Sequence, residues 1–155
     1  FEDDFESFFD NCNFGDGAYI SASGSDLKSA IKSELGDLYY EKSIKDATVF
    51  LVNDADYYYF FILNYTFDSE DDAEDFYDDC SYVIDELENL GADSDDGEED
   101  GIVYAVADLD GYDEGFYGVY QSGRNVMVVS GWGDCYEGDI EDLLEDYDIV
   151  LPSDL

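Results

Sequence analysis

Apolar residues recur at helical spacing in one long stretch of the chain. From about Ser69 to Leu90 the apolar positions fall three or four residues apart, which predicts an amphipathic helix with one buried face. Ser69 or Asp68 is placed to cap its first turn, and Gly91 is placed to end it. The apolar face consists of Ala73, Phe76, Tyr77, Cys80, Val83, Ile84, Leu87 and Leu90.

Three shorter stretches have the same periodicity. Residues 1–12, 25–35 and 139–147 each place their apolar side chains on one face, which predicts three further amphipathic helices. Gly36 is placed to stop the second of them.

The strands are predicted by runs rich in β-branched and aromatic residues that lie between turn signals. Tight turns join strands that are neighbours in sequence, with a hairpin turn at residues 53–56 and a meander after residue 102, so the sheet is antiparallel. The predicted fold class is α+β, an antiparallel sheet of about five to six strands with amphipathic helices packed on one face. The predicted strands are residues 18–22, 48–52, 57–67, 102–109, 116–120 and 125–130.

The length of 155 residues and the 45% hydrophobic content predict a single domain, residues 1–155. An internal pseudo-repeat is predicted within it, residues 1–35 resembling residues 69–147. Asp3 to Cys12 matches Asp71 to Cys80 at Asp, Asp, Glu, Phe, Asp and Cys in register. Cys12 and Cys80 are then equivalent core thiols; the alternative is one disulfide between two of Cys12, Cys80 and Cys135.

Charge restricts the partners of this chain. The net charge is −38, from 43 Asp and Glu against 5 Lys and Arg, with no His. Direct nucleic-acid binding and binding to an anionic membrane surface are excluded, because both require cationic side chains. The 17% aromatic content argues against disorder, and folding is expected to weaken at low ionic strength, with halophilic adaptation allowed.

The composition also argues against catalysis. Without His, a Ser or Cys nucleophile lacks its usual base, and no glycine-rich phosphate loop follows a strand. The sequence therefore predicts a protein that is not an enzyme and has no cofactor, with Ca²⁺ or other divalent cations as the only candidates.

Two acidic segments could hold a hard cation. The candidate ligands lie in two predicted loops, residues 93–100 and 108–114, and both loops miss the EF-hand spacing. A solvated connector and a hairpin turn are the favoured interpretation, with weak, nonspecific divalent binding still expected. The candidate ligands are Asp93, Asp95, Asp96, Asp108, Asp110 and Asp113.

Positive charge is concentrated in one stretch. Lys28, Lys32, Lys42 and Lys45 lie between residues 26 and 46, and Arg124 is the only other cation. One hypothesis is a contact surface for an acidic neighbour, including a second copy in a head-to-tail array. The alternative is that Lys28 and Lys32 only stabilise one helix through i,i+4 contacts.

Two segments of the chain resemble a known class of proteins. They are Phe67 to Phe76, which open the long helix, and Gly123 to Val129, in the last strand. Over residues 57–150 the chain resembles small acidic secreted or lipid-anchored α+β modules of unknown function from anaerobic bacteria. The resemblance implies an extracellular, non-catalytic protein. A first residue other than Met agrees with a processed chain.

Three functional hypotheses follow. The first is a non-enzymatic extracellular or cell-surface structural and interaction module that self-assembles and binds cations loosely. The second is a nucleic-acid mimic that inhibits a basic DNA-binding protein through rows of carboxylates at residues 68–79 and 134–148. The third is a Ca²⁺ buffer or sensor. The expected partner is accordingly another copy of this chain or a basic protein.

Overall fold

A seven-stranded antiparallel sheet is the frame of the protein. The computed structural model describes residues 17–23, 29, 43–54, 58–99, 101–109 and 115–132. The strand order is β1-β2-β3-β7-β6-β5-β4, so β1 and β4 are the two edges. The strands are β1 (Gly17–Ser23), β2 (Ile44–Asp54), β3 (Tyr58–Phe67), β4 (Asp93–Glu99), β5 (Ile102–Leu109), β6 (Gly115–Ser122) and β7 (Asn125–Trp132).

Helix α1 (Glu70–Leu90) joins β3 to β4 and packs on one face of the sheet. Ser69 is its N-cap, and the Ser69 hydroxyl accepts a hydrogen bond from the Asp72 amide at 3.2 Å. Gly91 ends the helix at φ 99°, a left-handed conformation that glycine adopts without steric cost, and its amide donates to the Glu88 carbonyl at 2.9 Å. Both predicted helix ends are thereby confirmed.

The main core lies between α1 and the sheet. The Phe76 ring lies 5.4 Å from the ring centroid of Tyr65 and 5.2 Å from that of Phe67, both on β3. These aromatic contacts fix the first half of α1 against the centre of the sheet. The buried members of this core are Ile44, Ala47, Val49, Phe61, Leu63, Tyr65, Phe67, Ala73, Phe76, Cys80, Ile84, Leu87, Ala105, Ala107, Tyr117, Val119, Val126 and Val128.

The opposite face of the sheet is also buried. Val126 and Val128 belong to the core beneath α1, whereas Met127 and Val129 alternate with them and are equally buried. Burial on both faces explains why residues 126–129 of β7 are all apolar instead of alternating between apolar and polar residues. The buried apolar side chains outside the α1 core are Ile62, Val106, Phe116, Tyr120, Met127 and Val129.

The α+β class, the antiparallel sheet, the first hairpin and the final meander are confirmed. The expected strand count was too low, because the sheet has seven strands and one of them, β4, was predicted as a loop. Several helices on one face are not borne out, since α1 is the only helix contained in full in the described residues. Apart from residue 29, the helices predicted at residues 1–12, 25–35 and 139–147 lie outside the described residues. Cys12 and Cys135 lie outside them as well. No helix in the described ranges is long and apolar enough to span a membrane.

A candidate acidic interaction surface

The outer side of α1 is covered with carboxylates. Ten of its 21 residues are Asp or Glu, and the helix is about 31 Å long at 1.5 Å per residue. Only Asp72 among them is half-buried, and the other nine are exposed. These ten residues are Glu70, Asp71, Asp72, Glu74, Asp75, Asp78, Asp79, Asp85, Glu86 and Glu88.

Strand β4 is an acidic edge strand. Its sequence DSDDGEE contains five carboxylates, all exposed. Its inner side pairs with β5 along its whole length, from Asp93 opposite Asp108 to Glu99 opposite Ile102. The prediction of a solvated connector was wrong here. Charged side chains are tolerated in an edge strand because they stay in water, and they discourage a further strand from pairing there.

Helix α1 and strand β4 form one continuous surface. The Ser94 hydroxyl on β4 donates a hydrogen bond to the Glu88 carboxylate near the end of the helix. Burial, together with the nearby Asp96 and Asp78 carboxylates, raises the pKa of Tyr77 to about 12. The chain from residue 68 to residue 99 contains sixteen carboxylates and neither Lys nor Arg. We call this region, α1 with β4, the acidic surface.

The fold separates the predicted cation ligands. Asp93 and Asp95 lie on the sheet face opposite α1, and Asp108 is the register partner of Asp93 on that face. Asp96 lies on the other face, towards α1. Asp110 and Asp113 are outside the described residues. Among the described residues, no three Asp, Glu, Cys or His side chains are grouped so as to hold a metal ion.

Tyr104 on β5 also reaches the acidic edge, and it is not among the predicted site residues. The Tyr104 hydroxyl donates to Asp95 Oδ2 at 3.1 Å, and this hydrogen bond raises the pKa of Tyr104. Gly97 is its register partner, and a Cβ at residue 97 would lie 2.9 Å from the Tyr104 hydroxyl oxygen. A glycine inside a strand is the sequence signal for such a close approach.

Two of the predicted cationic contact residues lie at the same end of the sheet. Lys45 is exposed at an irregularity of β2, where Ile44 pairs with Phe67 at the end of β3. Arg124 is exposed in the turn between β6 and β7, and its carbonyl accepts a hydrogen bond from the Phe67 amide at 2.8 Å. The fold therefore places Arg124 and Lys45 on either side of the end of β3, although 79 positions separate them in sequence. Lys28, Lys32 and Lys42 lie outside the described residues.

Cys80 is a buried free thiol on the inner face of α1. Burial raises its pKa from 9.0 to about 12, and a hydrogen bond with Tyr117 offsets part of that shift. A thiol that stays protonated at neutral pH is a poor nucleophile and metal ligand. Cys80 therefore contributes to packing, as the sequence interpretation of a core thiol proposed.

Comparisons with known proteins give distant structural similarity and no family. No protein-family model and no curated protein matches the chain. Among solved structures, the chain is similar to the extracellular domain of PknH from Mycobacterium tuberculosis, at 10% sequence identity and a TM-score of 0.44. The similarity covers 94% of this chain and 88% of that one. A likeness of this size carries no functional information.

Proposed function

We propose that the protein is a non-enzymatic structural and interaction module, acting outside the cell or at its surface through the acidic surface. The observation that carries the proposal is the run of sixteen carboxylates without a cation from residue 68 to residue 99, of which ten lie on α1 and five on the edge strand β4. The resemblance of residues 67–76 and 123–129 to acidic secreted modules supports the location.

The acidic surface binds cations loosely in this account. The accessible surface of 8548 Å² leaves about 200 Å² for each of the 43 carboxylates, a mean spacing of about 14 Å. The carboxylates are concentrated on α1, where ten of them lie along a helix about 31 Å long, about one per 3 Å of helix axis. Such a surface accumulates counterions, and divalent ions above all, without a dedicated set of ligands.

Divalent-ion titration tests this proposal. Calorimetric binding of Ca²⁺ and of Mg²⁺ would be compared in the wild type and in two variants of equal charge change. One variant carries Asp71→Asn, Asp75→Asn and Asp78→Asn on α1. The other carries Asp93→Asn, Asp95→Asn and Asp108→Asn at the predicted cation ligands.

Diffuse binding predicts similar Ca²⁺ and Mg²⁺ isotherms, both weakened by NaCl, and a small, equal loss in the two variants. A built Ca²⁺ site, as a buffer or sensor would have, predicts a defined stoichiometry and discrimination against Mg²⁺. It also predicts at least a tenfold loss of affinity confined to the variant at Asp93, Asp95 and Asp108. That result would overturn loose binding in favour of a calcium-specific role.

Self-assembly belongs to the same proposal. A surface that carries Lys45 and Arg124 at one end of the sheet offers contact to an acidic neighbour. A neighbour whose charge is complementary to these two cations is acidic. It is either a second copy of this chain, which has a net charge of −38, or another acidic protein.

A second candidate function is mimicry of a nucleic acid, favoured by the spacing of charge on α1. One carboxylate per about 3 Å of helix axis approaches the one phosphate per 3.4 Å of a single DNA strand. Competition between this protein and operator DNA for a purified homeodomain tests it. A stoichiometric, salt-sensitive complex that displaces the DNA would favour mimicry. No displacement at low salt would exclude mimicry of this target class.

A further inference from the structure

The two edges of the sheet differ in charge. Edge strand β4 has carboxylates at five of its seven positions, whereas edge strand β1, with the sequence GAYISAS, has no charged residue. Within the described residues, β1 pairs with β2 through one side, and no strand pairs with its other side. That outer side presents backbone amide and carbonyl groups of the kind that bind another strand.

Proteins commonly protect such an edge with charged side chains, proline or a bulge. Strand β4 has this protection, because pairing β4 with a second β4 would bring rows of carboxylates together. Strand β1 has neither charge nor proline in a chain where 31% of residues are charged. An uncharged edge that no described strand covers is suited to pairing in so acidic a protein.

We propose that β1 pairs antiparallel with β1 of a second copy around a two-fold axis, joining two sheets into one. With the axis at Ile20, Tyr19 lies opposite Ser21 of the other copy, and Ala18 lies opposite Ala22. Every position of this pairing is uncharged, and a two-fold contact uses the same strand on both copies. The inference rests on the proposed self-association and gives it a further surface, β1, which differs from the cationic end of the sheet with Lys45 and Arg124.

Pairing of β1 predicts a small interface and a dimer whose stability depends on salt. A seven-residue strand is about 24 Å long, so this contact is smaller than a standard protein interface and gives a weak dimer. Each copy carries a net charge of −38, so the copies repel each other over about 30 Å at 0.01 M salt but only over about 8 Å at physiological salt. Salt should therefore strengthen the dimer.

Sedimentation of three proteins over a range of concentration and NaCl tests the pairing. They are the wild type, Ser21→Asp in β1, and Asn89→Asp, which adds the same charge at an exposed position of α1. Thermal unfolding establishes that each variant is folded. Hydrogen exchange of the wild type at low and high protein concentration supplies a second readout that needs no variant.

We expect the wild type and Asn89→Asp to reach twice the chain mass of 17.5 kDa, with Ser21→Asp weakened at least tenfold. Protection of amides 17–23 should rise with protein concentration while that of amides 93–99 does not. A wild-type monomer at every condition would overturn the pairing. Dimerisation that Ser21→Asp leaves unchanged, together with amide protection that rises at β4 and not at β1, would also overturn it. A monomer that still binds Ca²⁺ loosely would leave the proposed cation binding intact, so the two failures are distinguishable.

Discussion

At the scale of single residues, two aromatic side chains on α1 have opposite environments. Phe76 is 4% exposed and packs on Tyr65 and Phe67, whereas Tyr82 is 62% exposed. Phe76→Ala should lower the free energy of unfolding by about 3–5 kcal/mol, because it leaves a cavity in the core. Tyr82→Ala is the matched control and should change it by about 0.5 kcal/mol or less. Urea denaturation measures both, and similar losses in the two variants would contradict the assigned packing of α1.

Cys80 should make the protein less stable at alkaline pH. Its pKa is raised from 9.0 to about 12 in the folded protein, so above pH 9 the unfolded chain releases a proton that the folded protein retains. The stability contributed by the neutral thiol is complete below pH 9 and is lost as the pH rises towards 12, by up to about 1.4 kcal/mol per pH unit.

Urea unfolding of the wild type and of Cys80→Ala at intervals from pH 7 to 10 tests this dependence. This range lies mostly below the pH at which tyrosines ionise in an unfolded chain. Ionising groups that do not contact Cys80 contribute equally to both proteins, so the difference in slope belongs to Cys80 together with its hydrogen-bond partner Tyr117. Parallel slopes above pH 9 would mean that the Cys80 thiol is not buried as described.

At the scale of secondary-structure elements, the N-cap of α1 should contribute measurably to stability. Ser69→Ala removes the hydroxyl that accepts from the Asp72 amide, and should lower the free energy of unfolding by about 1 kcal/mol. Ser81→Ala is the matched control in the middle of the same helix, where alanine is the better helix former, and should have no cost. Equal losses from the two changes would contradict the N-cap assignment.

Elements with their own local signals were predictable from the sequence. Helix α1 combines a regular apolar period with residues that suit both of its ends, so its prediction is correct to within one residue. The uncharged strands β3 and β7 were also predictable, because runs of β-branched and aromatic residues are typical of strands that are buried on one or both faces.

Strand β4 was missed because its composition opposes strand formation. Asp, Glu and Gly are depleted in strands, and β4 is held instead by pairing with β5, which composition does not reveal. A usable signal was present in Asp100-Gly101, a dipeptide typical of two-residue hairpin turns, and Gly101 adopts φ 81°. The same omission led to the cation ligands being sought in a loop, whereas pairing with β5 puts Asp93 opposite Asp108 and Asp96 on the other face.

At the scale of the whole molecule, charge repulsion should make folding depend on ionic strength. The mean carboxylate spacing of about 14 Å exceeds the Debye length of about 8 Å at physiological salt but not that of about 30 Å at 0.01 M. The midpoint of thermal unfolding should therefore rise as NaCl increases from 0.01 to 0.15 M. The α1 variant with Asp71→Asn, Asp75→Asn and Asp78→Asn should depend less on salt. A midpoint independent of salt, or one that falls as salt increases, would contradict this account.

The central claim is that the carboxylates control what this molecule associates with. The most direct test is the mass of the native wild-type particle, measured by light scattering over a NaCl series with and without Ca²⁺. We predict a monomer at 0.01 M NaCl, a dimer as NaCl increases, and a lower NaCl requirement when Ca²⁺ is present, because both ions screen the acidic surface. Association that is strongest at the lowest salt would mean that attraction of an acidic neighbour to Lys45 and Arg124 drives assembly. That result would contradict pairing of β1 that is limited by repulsion between the carboxylates.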